Sequence, residues 1–487
     1  MLGATFRRLT LGNFAFHQWR EVSVLHRLLS PLRSWRQGSW LLAWGDGIAW
    51  VFVAAMFALA PYASTAMIGW LLVASAGFWL LLTVSDRAEG WLTPLHIVIM
   101  LYWGVMLVAT ALSPVKMAAL VGLAKLTLNI LLFMLLARIL RIKELRSGLI
   151  LVYLATALIV SIYGLRQWFF GAEALATWVD PESNMAGATR VYSYLKNPNL
   201  LAGYLMPAMT FSAMAVFAWP KWMPKLLAVV MYVANSACLI LTLSRGGWLG
   251  FVVSSFVMIV LLVFWWNPKF PTFWQRWALP LLLGASATVL VASVLLVPPV
   301  RERVASMVNV RGDSSNNFRM NVYEAVFKMI KARPVIGIGP GNEAFNKIYP
   351  LYQRPGYTAL SAYSVYFETA VEAGIFGVLS LFWILIVAFQ QGWAQLGRLR
   401  DQMSSRVSQT LGQDGYWLIG TVAAIAGLLT QGAFDTVWYR PQISTLWWLL
   451  LAIVASFYAD ARQKYRQDSI VMVNHDLEDS REVSGQY

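Results

Sequence analysis

Two arginines in this chain have the chemistry and the setting to hold an anion. Arg245 lies in Leu243-Ser244-Arg245-Gly246-Gly247-Trp248, at the boundary between two apolar runs, where small neighbours leave room for its side chain. Arg319 opens an amphipathic stretch some seventy residues later. A guanidinium is always charged and forks onto carboxylate, phosphate or bicarbonate. If the two converge on one cavity they make an anion site. If they do not, Arg245 is a snorkelling interfacial residue and Arg319 a solvated helix charge. Between them and a later apolar run lies Gly337-Ile338-Gly339-Pro340-Gly341. Three glycines in five residues permit positive φ, so Gly339 and Gly341 are candidates to aim backbone N–H groups at the anion, or simply to make a tight turn.

Further ionisable groups sit in or beside apolar runs. Lys125 is mid-run, where a charge costs about 2.5–3.5 kcal/mol and should face protein or water. Ser364, Glu368 and Glu372 fall at i, i+4 and i+8 on one helical face, and could pair with Arg245. Asp435 closes one apolar run, five residues before Arg440, and Asp46 opens another. Asn197-Pro198-Asn199 precedes a run in the pattern of a helix start. The four histidines, His17, His26, His96 and His475, lie away from the basic region around Arg319, so a histidine base is not expected there, and no two have metal-ligand spacing. The lone cysteine, Cys238, excludes an internal disulfide framework and reads as a small packing residue. No metal and no cofactor are expected.

The elements that must position these residues follow from composition. Of 487 residues, 59% are hydrophobic and only 13% charged. Soluble domains carry nearer a quarter, so lipid is the expected solvent. Apolar runs near 42–60, 66–83, 94–112, 117–137, 148–165, 199–218, 226–243, 247–266, 277–297, 365–389, 416–433 and 443–458 predict an all-α bundle of about twelve spans. With the N-terminus in the cytoplasm, inside segments hold 22 Lys and Arg and short outside loops hold 3. That imbalance predicts cytoplasmic termini, and a bacterial plasma membrane is the expected location. The imbalance also turns the formal +15 charge away from nucleic acid. Residues 1–40 read as a basic amphipathic cytoplasmic segment, 41–458 as the transmembrane domain and 459–487 as a polar tail.

Segment 298–364 is then a large extracytoplasmic loop with nine basic and four acidic residues. Asp313-Ser314-Ser315-Asn316-Asn317 supplies helix-capping types, and Val322, Val326, Met329 and Ile330 recur at helical spacing. An amphipathic helix lying on the membrane surface is predicted, ended by Pro334.

Asn197-Pro198-Asn199, Ser244-Arg245-Gly246, Arg319, Arg333-Pro334 with the glycine loop, and Glu372-Ala373-Gly374 together resemble the O-antigen ligase and polymerase superfamily over roughly 190–440. The resemblance implies that Arg245 and Arg319 bind the pyrophosphate of a lipid-linked glycan. The ligases carry a catalytic His nine residues before the Glu of Glu-x-Gly. Here that register holds Tyr363, followed by Ser364, with Glu368 downstream, leaving Tyr363 and Glu368 as the catalytic candidates. Ala176-Thr177-Trp178-Val179-Asp180, Arg190-Val191-Tyr192-Ser193-Tyr194-Leu195, Asp313 to Arg319, Tyr349-Pro350-Leu351-Tyr352-Gln353 and Phe434-Asp435-Thr436 resemble the cyanobacterial IctB type within that superfamily. That resemblance implies inorganic carbon handling, with bicarbonate as the anion. Three functions are therefore in view: bicarbonate transport or accumulation, ranked first, a glycan ligase or polymerase, and a non-catalytic assembly protein.

Overall fold

The computed structural model describes residues 10–11, 38–85, 92–172, 190–296, 301, 314–404, 409–436, 438 and 440–458. The expected basic segment 1–40 and the tail 459–487 lie almost wholly outside the described residues, as does Asp313.

Among the described residues all regular structure is helical. A single turn at Trp40–Ala43 leads into α1 (Gly45–Leu59), α2 (Thr65–Ser85), α3 (Pro94–Ala111), α4 (Lys116–Ile139) and α5 (Lys143–Phe170). A short 3₁₀ turn follows at Ser193–Leu195, then α6 (Pro198–Ala218), α7 (Trp222–Leu241), α8 (Arg245–Trp266) and α9 (Thr272–Leu296). Two shorter elements, α10 (Ser314–Ala332) and α11 (Asn342–Ile348), precede α12 (Val365–Ser404), α13 (Gln409–Gly432) and α14 (Pro441–Ser456).

A helix lies over each of the twelve apolar runs. Among the described residues nine of these helices, α2 to α9 and α12, are long and apolar enough to cross a bilayer. The apolar helices α1 and α14 have 15 and 16 residues, fewer than the roughly 20 that a bilayer core needs. Helix α6 is the hub, with 83% of its apolar window buried, whereas none of that of α9 is, so α9 stands at the periphery.

Close approach around α6 depends on small residues. A Cβ on Gly247 would sit 2.6 Å from the Cβ of Ala202 in α6, and one on Gly250 would sit 2.6 Å from the Gly427 carbonyl oxygen in α13. This is how apolar helices gain contact where lipid offers no hydrophobic driving force. His96 is a packing residue: its Nδ1 lies 3.3 Å from the Thr93 amide and 2.8 Å from the Thr93 hydroxyl, closing the N-terminus of α3.

The two ends of the bundle differ. At one end ion pairs join helices, a buried Arg146–Asp414 at 2.6 Å and a partly exposed Arg138–Asp46 at 3.1 Å. At the other end the segment from α10 to the start of α12 forms a cap. Val322, Val326 and Met329 of α10 pack with Phe345 and Tyr349, and with Ala118 and Ala119 of α4. The predicted amphipathic helix is thus present, and its apolar face is buried in this small core.

The cap is keyed into α12, which is broken at Ala373 and Gly374. Gly374 has φ +59 and ψ −151, a conformation essentially confined to glycine. The break frees carbonyl groups: Ile338 N–H donates to Val371 O and Gly339 N–H to Glu372 O, both at 2.9 Å. Ile375 N–H in turn donates to Pro334 O at 2.9 Å. An uninterrupted span over 365–389 was expected; the docked loop is the physical reason for the break.

Candidate functional site

Under the cap, the ends of four elements bring charged groups together. Asn197 caps α6, its Oδ1 accepting from Asn199 N–H at 2.8 Å and Leu200 N–H at 3.2 Å. Ser244 caps α8, its Oγ accepting from Gly247 N–H at 3.2 Å. Arg245 is therefore the first residue of α8, and the residue before the cap, Leu243, has φ +52. Both helix N-termini present partial positive charge at this end of the bundle. Helix α10 supplies Arg319, and the segment after α13 supplies Asp435.

Arg319 lies 4.0 Å from Asp435, with both side chains mostly buried. Its guanidinium carbon stands 5.8 Å from the centre of the Tyr363 ring. Arg245 lies within electrostatic range of Arg319. A third guanidinium, Arg190, completes the group. Its Nε donates to Thr242 O at 3.1 Å and its terminal nitrogen to Asn199 Oδ1 at 3.4 Å. Burial, then the charges of Arg319 and Arg245, push the Arg190 pKa down to about 10, against the opposing pull of Asp435. Arg319 and Arg190 thus face Asp435, and Arg245 stands within electrostatic range of both arginines.

Asp435 feels opposing influences. Burial raises its pKa above the ordinary aspartate value, while Arg319, a hydrogen bond from Asn199, the Thr436 amide and Arg190 pull it back. Tyr363 is held in a left-handed backbone conformation, φ +51, which a bulky residue adopts only under constraint. Its carbonyl accepts from the Tyr323 hydroxyl at 3.1 Å. Burial and then Asp435 raise the Tyr363 hydroxyl's pKa, with Arg319 opposing, so it stays protonated at neutral pH and can donate a hydrogen bond.

Other residues singled out in the sequence lie elsewhere or do other work. The glycine loop is not arranged as an anion cradle. Gly337 N–H donates to Arg333 O, Gly339 N–H to Glu372 O, and Gly341 N–H to Glu372 Oε1 at 2.6 Å. Gly339 and Gly341, with φ +95 and +100, serve close packing instead: a Cβ on Gly341 would meet the Cα of Gly122 in α4 at 2.6 Å. Glu372 holds this loop, and Glu368 accepts the Ala362 N–H at 2.5 Å, fixing the turn before α12. Lys125 pairs with Glu343 of the cap at 3.0 Å, with both side chains about half exposed. Asp46 is at the opposite end of the bundle with Arg138. Lys125, Glu368 and Glu372 thus lie at the capped end, and Asp46 lies apart from them. Among the described residues no three His, Cys, Asp or Glu side chains gather as a metal set.

Arg190 and Tyr323 were not singled out from sequence. Arg190 appeared only inside a stretch that carries a family resemblance; Thr242 and Asn199, its partners, come from other elements. A signal was present in its position, seven residues before the Asn-Pro-Asn helix start.

The O-Antigen ligase family model matches residues 227–382, about a third of the chain. The matched part contains Arg245, Arg319, Tyr363, Glu368 and Glu372, and excludes Arg190 and Asp435. No curated protein matches the chain. The match supports an O-antigen ligase-like membrane protein, and so favours the ligase reading over the bicarbonate one ranked first from sequence.

Proposed function

We propose that this chain is a membrane glycosyltransferase of the O-antigen ligase type, which moves a glycan from a lipid pyrophosphate carrier to an acceptor hydroxyl at the capped, extracytoplasmic end of the bundle. The observation that carries the reading is the gathering of Arg190, Arg245 and Arg319 within electrostatic range of one another, with Asp435 beside Arg319 and Arg190, and with two of the three arginines inside the matched segment. A pyrophosphate leaving group needs fixed positive charge where its negative charge develops, and guanidinium forks with helix N-termini supply it.

In this mechanism the acceptor hydroxyl oxygen attacks the anomeric carbon. The bond from that carbon to the pyrophosphate oxygen breaks, and the electron pair leaves with the lipid pyrophosphate, held by the arginines. The hydroxyl proton passes to the Asp435 carboxylate. Burial raises the basicity of this carboxylate above that of an ordinary aspartate, which suits it better to accept a proton. Tyr363, in the register of the ligase histidine, donates a hydrogen bond to the reacting oxygens.

Twelve crossings, with both termini in the cytoplasm and the plasma membrane as the location, remain part of this reading and rest on the Lys and Arg asymmetry. A second reading keeps the IctB-type resemblance: the departure of Tyr363 from histidine leaves an anion site without the ligase base, and a planar bicarbonate would fit the same guanidinium forks. Deletion in the source organism separates the two. The glycan reading expects loss of a lipid-linked or surface glycan, restored by the wild-type gene and not by Arg245→Ala. A normal glycan profile, together with bicarbonate flux in proteoliposomes containing only this protein, would overturn it.

A further inference from the structure

Beside the arginine cluster, the turn between Arg190 and Asn199 is built in an unusual way. Two of its non-glycine residues, Ser193 and Lys196, have positive φ of +50 and +55. Such backbone persists only where the surroundings over-determine it. Here Gln167 Oε1 accepts from Tyr192 N–H at 3.2 Å and Ser193 N–H at 2.7 Å, and the Ser193 hydroxyl donates to Val160 O at 2.7 Å. The buried underside is thereby clamped, and the strained apex turns Tyr194 and Lys196 outward, Tyr194 keeping 37% of its surface exposed. The Tyr194 ring stacks on Tyr163 of α5 at 4.3 Å and 20°, and meets the exposed Tyr62 edge-on at 4.7 Å. An interfacial aromatic belt needs none of this strain, since tyrosines on regular helix ends supply one.

We infer that Tyr194, Tyr163 and Tyr62 form a platform for sugar rings of the transferred glycan, with Lys196 donating to a sugar hydroxyl. The inference rests on the lipid-linked glycan reading and names a subsite within it. The face of an aromatic ring is negative and attracts the polarised C–H edge of a pyranose, while the hydroxyls of the sugar require donors at the rim. The turn places this platform at the right range. Tyr194 is four residues from Arg190, a chain distance of at most about 14 Å, which a short oligosaccharide spans from a held pyrophosphate.

The test uses the full chain in nanodiscs and two probes: undecaprenyl pyrophosphate alone and the same lipid carrying a trisaccharide. Wild type should bind the glycosylated probe about three- to tenfold more tightly than the bare one. Tyr194→Ala should abolish that ratio while the bare probe, which reports the arginine cluster and the fold, binds as in wild type; Tyr194→Phe should keep the ratio. A wild-type ratio of one, or a ratio unchanged in Tyr194→Ala, overturns the platform and leaves the pyrophosphate site standing. Failure of wild type to bind either probe overturns both.

Discussion

Replacing Asp435 by Asn should strengthen anion binding and weaken transfer. The carboxylate lies 4.0 Å from Arg319. Two unit charges at that distance interact by about 4 kcal/mol at an effective dielectric of 20, and by about 1 kcal/mol in water. A phosphate seated on Arg319 is farther from Asp435; at about 6 Å the repulsion per charge is about 3 kcal/mol at the first limit and about 0.7 kcal/mol at the second. The two side chains are 21% and 16% exposed, so the site lies between these limits. Removing the negative charge should therefore tighten binding by between about 0.7 and about 3 kcal/mol per phosphate charge, roughly threefold to a hundredfold in Kd. Turnover should fall by about a hundredfold or more, because the proton acceptor is gone.

Titration calorimetry with pyrophosphate on nanodisc-embedded protein reads the first quantity, and glycan transfer from a lipid pyrophosphate donor reads the second. The pH profile gives an independent check. Burial raises the Asp435 pKa, so its proton is held to a higher pH than in an ordinary aspartate. As pH falls through that raised value the carboxylate neutralises, and wild-type binding should approach that of Asp435→Asn. For stability the sign is the same: the contribution is present below the unfolded pKa and is lost as pH rises through the folded one. Weaker pyrophosphate binding in Asp435→Asn would refute this reasoning and make the carboxylate a group that orients Arg319. Unchanged turnover would remove it from proton transfer.

At the opposite end of the bundle, Asp414→Asn leaves Arg146 buried without its carboxylate and should cost about 3–5 kcal/mol, seen as a large fall in thermal stability in detergent; Arg146→Met with Asp414→Leu should recover most of it. Gly374→Ala forces a Cβ against the Val335 carbonyl at positive φ, so it should undock the cap and open 333–364 to limited proteolysis; protection equal to wild type would show that α12 can straighten. Lys125→Met removes a half-exposed pair worth at most about 1 kcal/mol and should change transfer less than twofold, whereas a role for Lys125 in an anion path requires a much larger loss.

Much of the bundle was legible because its causes are local. An apolar run of about twenty residues needs only its own backbone hydrogen bonds to satisfy itself in lipid, so each such run declares a helix. The same holds for α10, whose period of apolar residues and capping types lie within one stretch of chain. The break in α12 was not legible: it arises because the amides of a loop thirty residues upstream donate hydrogen bonds to the freed carbonyls of Val371 and Glu372. The choice between an anion cradle and a tight turn for the glycine loop stayed open in the sequence for the same reason, since Gly339 and Gly341 meet Glu372 and Gly341 meets Gly122 only after α4 and α12 have assembled.

Arg245 and Arg319 could be singled out by type, because a guanidinium beside apolar runs is costly and conspicuous wherever it stands. Their company could not. Sequence by itself determined that this chain dissolves in lipid as helices and carries an excess of guanidinium groups near their ends, both being sums over single residues. Tertiary structure alone decided that Arg190 joins them, that Asp435 sits among them, and that Lys125 and Asp46 do not, because electrostatic coupling depends on distances between elements that no local pattern records.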